Sequence, residues 1–94
     1  MDTREAEVLL HDFTARLRHR SYDRLVARYL NQSEHHSIGG PSGTEYQLEV
    51  QAWWDDGQPG NMRVIVAIDD GGWSAFKPMS IDFIMAPDGS FVGE

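Results

Sequence analysis

The sequence contains no cysteine, and its 94 residues include one lysine. Without cysteine the chain can form neither a disulfide framework nor a thiolate zinc site, and it has no cysteine nucleophile. The longest aliphatic run, at 64–68, is far shorter than a membrane span. The first residues are acidic, where a secretory signal would be basic and then apolar. These absences predict a soluble cytoplasmic protein and no membrane partner.

Common catalytic motifs are also missing. The sequence has no HExxH, no GxSxG and no glycine-rich phosphate loop that opens a helix. Its one glycine-rich loop, at 39–43, leads into a strand pattern and therefore lacks a helix dipole for phosphate. On a helix His11 and His19 would lie about 12 Å apart, too far for one metal, and His35 and His36 are predicted loop neighbours. We therefore predict neither a metal site nor a cofactor.

Charge is distributed unevenly along the chain. The net charge is -7, but residues 1–30 carry +1 and residues 31–94 carry -8. An acidic body repels phosphate backbones, which disfavours nucleic acid as a partner. On an unbroken helix, four arginines at four-residue spacing would form a basic ridge able to meet an acidic partner, an RNA backbone or the acidic sheet. A solvated face with intrachain ion pairs is the favoured interpretation. These are Arg16, Arg20, Arg24 and Arg28.

The first third of the sequence predicts helix. A polar residue at position 2 or 3 can cap its start, and apolar residues recur at helical spacing through 6–17. A second apolar set at 22–30 is rotated by about 150° from the first on a helical wheel. One straight helix could not bury both sets on one surface. We therefore predict a break near residues 18–22, with Ser21 capping a second helix.

The remaining sequence predicts antiparallel strands. Apolar and polar residues alternate from position 44 onward, with strands expected at 44–54, 62–69 and 79–86. A turn at 87–90, centred on Asp-Gly, should return Phe91 and Val92 to the sheet. The predicted organisation is one α+β domain over 1–94: a helical part at 3–32, a connector at 33–43, and an antiparallel sheet of about four strands at 44–93 packed on the helices.

Two stretches resemble known families. The segment RSYDRLVARYL, at 20–30, is similar to the aspartate-containing break between the first two helices of NTF2-like domains. The predicted architecture resembles cystatin-like or shortened NTF2-like folds. The final run, IDDGGWSAFKPMSIDFIMAPDGSFVGE, looks like the end of a family of small uncharacterised bacterial proteins. The NTF2-like resemblance implies a cavity between helix and sheet, whereas the second resemblance implies no activity.

The stretch IDDGGWSAF, at 68–76, sets two carboxylates side by side. Adjacent side chains on a strand point to opposite faces, so Asp69 and Asp70 cannot converge on a metal or act as a pair unless the chain turns between them. Asp-Gly pairs also stand at two other strand ends. We interpret the stretch as a turn, with Trp73 and Phe76 anchoring the segment after it.

Large aromatic rings are concentrated in the predicted sheet. Pairing Trp54 with Met62 places Trp53 opposite Arg63 on the polar side, where the ring can form a cation–π pair or an aromatic patch. From Trp53, Arg63 and Trp73 we predict a non-catalytic protein-interaction domain. Its partner would be another protein, as for acidic immunity-type proteins that bind basic toxins, or a second copy in a homodimer.

The alternative function is a small-molecule-binding or enzymatic domain. It follows from the cavity that the NTF2-like resemblance implies. Its acid/base candidates are Asp69, Asp82 and His11, each of which would need burial to titrate near neutral pH. A filled core would argue against this alternative.

Overall fold

The computed structural model describes residues 2–57, 60–72 and 78–94. Its fold is α+β, as predicted, with two N-terminal helices and a four-stranded antiparallel sheet. The elements are α1 Thr3–Arg18, α2 Tyr22–Tyr29, β1 Ser33–Gly39, β2 Glu45–Trp54, β3 Met62–Asp69 and β4 Met79–Met85. Within these residues, neither helix is long and apolar enough to cross a bilayer.

A capped break separates the two helices, which confirms the prediction. The Asp2 carboxylate caps α1 by accepting a 3.1 Å hydrogen bond from a backbone N–H of the first turn. The Ser21 hydroxyl does the same for α2 at 3.2 Å. Because the break turns the chain, each helix buries its own apolar stripe, and Leu10 of α1 and Leu25 of α2 are both fully buried.

The sheet is a simple meander in the order β1-β2-β3-β4, with every neighbouring pair antiparallel. The predicted pairing of Trp54 with Met62 is confirmed, and with it the pairing of Trp53 with Arg63. The side of the sheet that packs on the helices, here the inner face, is apolar. The fully buried side chains that β2 and β3 contribute to it are Tyr46, Leu48, Val50, Met62, Val64, Val66 and Ile68. The opposite side is the outer face.

The connector predicted at 33–43 is wrong over residues 33–39, which form β1. All seven residues of this strand pair with β2. Only a short turn remains between the strands, in which Gly40 N donates to Thr44 O at 2.8 Å. The serines and glycine of this segment have low β-propensity, but pairing with an established strand outweighs so weak a preference.

The C-terminal segment turns at 87–90 as predicted, but it does not form a further strand. Phe91 makes a single bridge with Met85, and Val92 N donates to Ile84 O at 2.9 Å. The four strands are therefore β1 to β4, with the returning segment held at the end of β4.

One buried cluster joins both helices to β2, β3 and β4. Among the described residues, Thr14 is the one polar residue that is buried. Its hydroxyl donates to Leu10 O at 2.8 Å. Since a helical residue can satisfy a hydroxyl in this way, Thr14 adds no unsatisfied group to the core.

Candidate functional site: the outer face of the sheet

The outer face carries two of the three residues predicted to form a binding patch. Trp53 lies near the end of β2, and Arg63 lies directly opposite it on β3. β1 begins opposite Gln51, so the Trp53 ring extends beyond the end of the neighbouring strand. This position explains why Trp53 is 37% exposed, although β2 is a central strand. Trp73, the third predicted residue, lies outside the described residues.

Arg63 is held by two carboxylates. Its Nε donates to Asp55 Oδ1 at 3.0 Å, and its Nη1 pairs with Asp82 on β4. The hydrogen bond to Asp55, and then the one to Asp82, raise the pKa of the guanidinium. In the described part of the chain Arg63 is not among the arginines that lie over rings, so the predicted cation–π pair with Trp53 is not formed. Carboxylates compete for the cation more strongly than a ring face does.

Apolar side chains gather around this ion pair. Arg63 lies opposite Ile84 as well as Trp53, and Ile65 follows two residues later on the same face. Ile65 is therefore diagonal to both Trp53 and Ile84, at the roughly 7–8 Å typical of such neighbours. Ala67 continues the row. We call Trp53, Ile65, Ala67 and Ile84 the apolar strip. All but Trp53 are half-buried.

The border of the apolar strip is acidic. Asp82 lies opposite Ile65, Glu49 lies opposite Ala67, and Asp69 ends β3 on the same face. Asp55 and Asp82 contact Arg63 directly, whereas Glu49 and Asp69 lie farther along the strip. The apolar strip therefore has an apolar centre and a charged border.

The β1 side of the outer face is polar and internally hydrogen-bonded. Ser33 Oγ donates to Glu49 Oε2 at 3.0 Å, and His35 Nε2 lies 3.2 Å from the same oxygen. Gln47 Nε2 donates to Ser37 Oγ at 3.0 Å. Because these groups already satisfy one another, the β3–β4 side with the apolar strip is the better candidate for a partner.

The two adjacent carboxylates of IDDGG accept backbone hydrogen bonds within the turn after β3. Asp69 Oδ1 accepts from Gly71 N at 2.7 Å, and Asp70 Oδ1 accepts from Gly72 N at 3.0 Å. Gly71 has a φ of 84°, a conformation that favours glycine. The sequence interpretation of this stretch as a turn is confirmed over 69–72, and the two aromatic anchors predicted after it lie outside the described residues.

The three alternative acid/base residues do not converge. Asp82 lies opposite Ile65, four residues before Asp69, which separates the two by about 13 Å along the strand. His11 lies exposed on α1, on the other side of the sheet. Within the described residues no group of three or more metal-ligating side chains comes together.

The part of the inner face that β2 and β3 form is filled by side chains. Its seven central side chains are each 1% exposed or less, and Leu10 and Leu25 pack against them with no exposure. The depressions found in this part of the molecule lie at its surface, such as one of about 340 Å³ beside Val8 and Pro41. Such a filled interior does not support a buried small-molecule site.

Three of the four regularly spaced arginines meet in one cavity, which their spacing alone did not predict. The helix break splits the row, yet Arg16, Arg20 and Arg28 line one common cavity of about 100 Å³. We call this the basic cavity. Its other lining residues are Phe13, Leu17, Tyr29 and His36. Arg24 is not among them, so the four-residue spacing identified three of the residues but not their shared site.

Comparisons with known proteins give no assignment. The chain matches no protein-family model, no curated protein and no solved structure. The cystatin-like, NTF2-like and bacterial-family resemblances therefore stay predictions.

Proposed function

We propose that the protein is a non-catalytic interaction module that binds another protein through the apolar strip. The observation that carries the proposal is that Trp53, Ile65 and Ile84 lie together around the Arg63 ion pairs, on the face opposite the helices. Interface centres are enriched in tryptophan and arginine, and a ring at such a centre supplies much of the binding energy.

The negative charge of the outer face favours a basic partner. The four carboxylates near the strip and the net charge of -7 favour a basic protein surface. Opposite charge accelerates association, and salt weakens that effect. A cytoplasmic basic protein, such as a toxin that an acidic partner neutralises, fits these properties.

The alternative of a small-molecule or enzymatic domain has less support. Side chains of β2 and β3 fill the centre of the inner face, where the NTF2-like resemblance implies a cavity, and Asp69, Asp82 and His11 are dispersed. Asp82 is engaged by Arg63, and Asp69 accepts a turn N–H. No observation favours catalysis over binding.

Native mass spectrometry of the tagged chain, purified gently from its own host at modest salt, tests the proposal. We expect a stoichiometric complex with a second, basic protein. Trp53→Ser should weaken the complex by roughly thirtyfold or more, the loss expected for an interface hot spot. Val8→Ser is the matched control, because Val8 is 62% exposed but lies on α1.

Three results would overturn the proposal. One is a complex that survives Trp53→Ser but is lost with Val8→Ser, which would place the interface on the helices. A second is recovery of the chain alone at low salt. A third is a homodimer that Trp53→Ser dissociates, because a second copy would then occupy the apolar strip.

A further inference from the structure

The basic cavity lies on the helix side of the sheet and is separate from the apolar strip. It is formed where the end of α1 meets α2 and β1. Three of the chain's eight lysines and arginines line it, although the protein is acidic as a whole. This concentration of positive charge is a feature that the proposed function does not use.

The three arginines differ in how far they are already engaged. Arg28 forms two hydrogen bonds with Glu34, at 2.9 and 2.6 Å, and Arg16 pairs with Asp12. The Arg20 guanidinium forms no hydrogen bond or ion pair with a described residue, although its charge acts on Glu34. Its guanidinium therefore keeps all of its donors for another acceptor.

Aromatic rings form part of the wall of the basic cavity. The ring centroids of Phe13 and His36 are 5.3 Å apart, and the Arg28 guanidinium lies 5.5 Å from the centroid of Tyr29. His36 Nε2 is buried and makes no hydrogen bond with a described residue, although Glu34 Oε1 is 3.1 Å away. Charged groups interact more strongly in such partly apolar surroundings than in open water.

We propose that the basic cavity binds a phosphate group, either as the free ion or as part of a small phosphate monoester, with Arg20 as its main donor. Arg16 and Arg28 approach from different elements, which suits a tetrahedral group better than a planar carboxylate. A volume of about 100 Å³ equals that of about three waters, so the remainder of a monoester would stay outside. A long polyanion is disfavoured by the acidic sheet.

Phosphate titration of the full chain, followed by the NMR shifts of backbone amides over residues 13–36, tests the site at low ionic strength. We expect saturable shifts with inorganic phosphate. Arg20→Gln should weaken binding roughly tenfold, as expected for the loss of charge-assisted hydrogen bonds. Arg24→Gln is the matched control: it makes the same charge change on α2, does not line the cavity, and should change affinity less than about twofold.

Two further measurements define the ligand. If the site takes a monoester, phenyl phosphate should bind at least as well as inorganic phosphate. If the site takes only the free ion, inorganic phosphate should bind and phenyl phosphate should not. Acetate should bind roughly tenfold more weakly than the phosphate ligand that binds. Glu34→Gln removes a competing carboxylate and should tighten phosphate binding roughly threefold.

The proposal is overturned if Arg20→Gln and Arg24→Gln weaken binding equally, since that result describes a diffuse charge effect. It also fails if acetate binds as well as phosphate, if folded Glu34→Gln binds phosphate more weakly than the parent chain, or if no saturable shift appears.

Discussion

The hydroxyl of Tyr46 on β2 donates a 2.7 Å hydrogen bond to Glu5 Oε1 in the first turn of α1, across 41 residues of sequence. Ser42 donates to the same carboxylate from its backbone N at 2.9 Å and from its Oγ at 2.6 Å. The bonds from Ser42 and then from Tyr46 lower the pKa of Glu5, and the bond to Glu5 is the main reason that the pKa of Tyr46 rises to about 12. Glu5 thus ties the start of α1 to the β1–β2 turn and to β2.

Acidification should remove the stabilisation that Glu5 provides. Because its folded pKa lies below the ordinary value of 4.5, ionised Glu5 stabilises the fold above that pH, and the effect disappears as pH falls through the folded pKa. Glu5→Gln should therefore lower the melting temperature most at neutral pH, and the difference should shrink toward about pH 3. Thermal unfolding of both proteins across this range measures it. Glu7→Gln, an exposed change on the same helix, is the control and should leave the melting temperature at neutral pH nearly unchanged.

Gly40→Ala should disrupt the same contact by crowding. An added Cβ would lie 2.6 Å from Glu5 Oε1 and 3.0 Å from Tyr46 Cε2, so the carboxylate would have to move. We expect a loss of about 1–3 kcal/mol in the free energy of unfolding, the range found for overpacking. Urea unfolding measures the change.

Gly39→Ala is the control for Gly40→Ala. No atom lies within 4 Å of its added Cβ, and its φ is not in the positive range. Its stability should equal that of the parent chain or exceed it slightly. Equal destabilisation by the two substitutions would show that backbone freedom, and not the Glu5 contact, determines the effect.

The C-terminal segment should depend on the ring of Phe91. The Arg18 guanidinium lies 3.8 Å from the centroid of this ring and pairs with Glu94, while Phe83 meets the ring edge-on at 5.9 Å. Phe91→Leu should cost about 1–2 kcal/mol, from the cation–π and aromatic contacts together. Hydrogen exchange at Val92 N, which donates to Ile84 O, should accelerate before the rest of the sheet is affected.

A control for Phe91→Leu is Val92→Ala, because the Val92 side chain is 40% exposed. It should change stability by less than about 0.5 kcal/mol. If Phe91→Leu left the exchange of Val92 N unchanged, the ring would not be the group that holds this segment.

The α+β fold was largely predictable, because local patterns record it. Periodicity separated the two helices, Ser21 marked the start of the second, and alternation set the register of β2 against β3. β1 was not predictable in this way, since SEHHSIG has weak β-propensity and pairs only because β2 is beside it. The register of β2 against β3 correctly predicted that Trp53 and Arg63 lie opposite each other on the outer face. It did not predict the ion pairs of Arg63.

The sequence by itself determined which side chains lie on each face of each element, because helical and strand periods follow from backbone geometry. Only the tertiary structure decided which of those side chains meet. Asp55 and Asp82 reach Arg63 from other segments. Arg16 and Arg28 share a cavity although the helix between them is broken. Such contacts depend on how whole elements pack against one another, and a local pattern of residues holds no record of that packing.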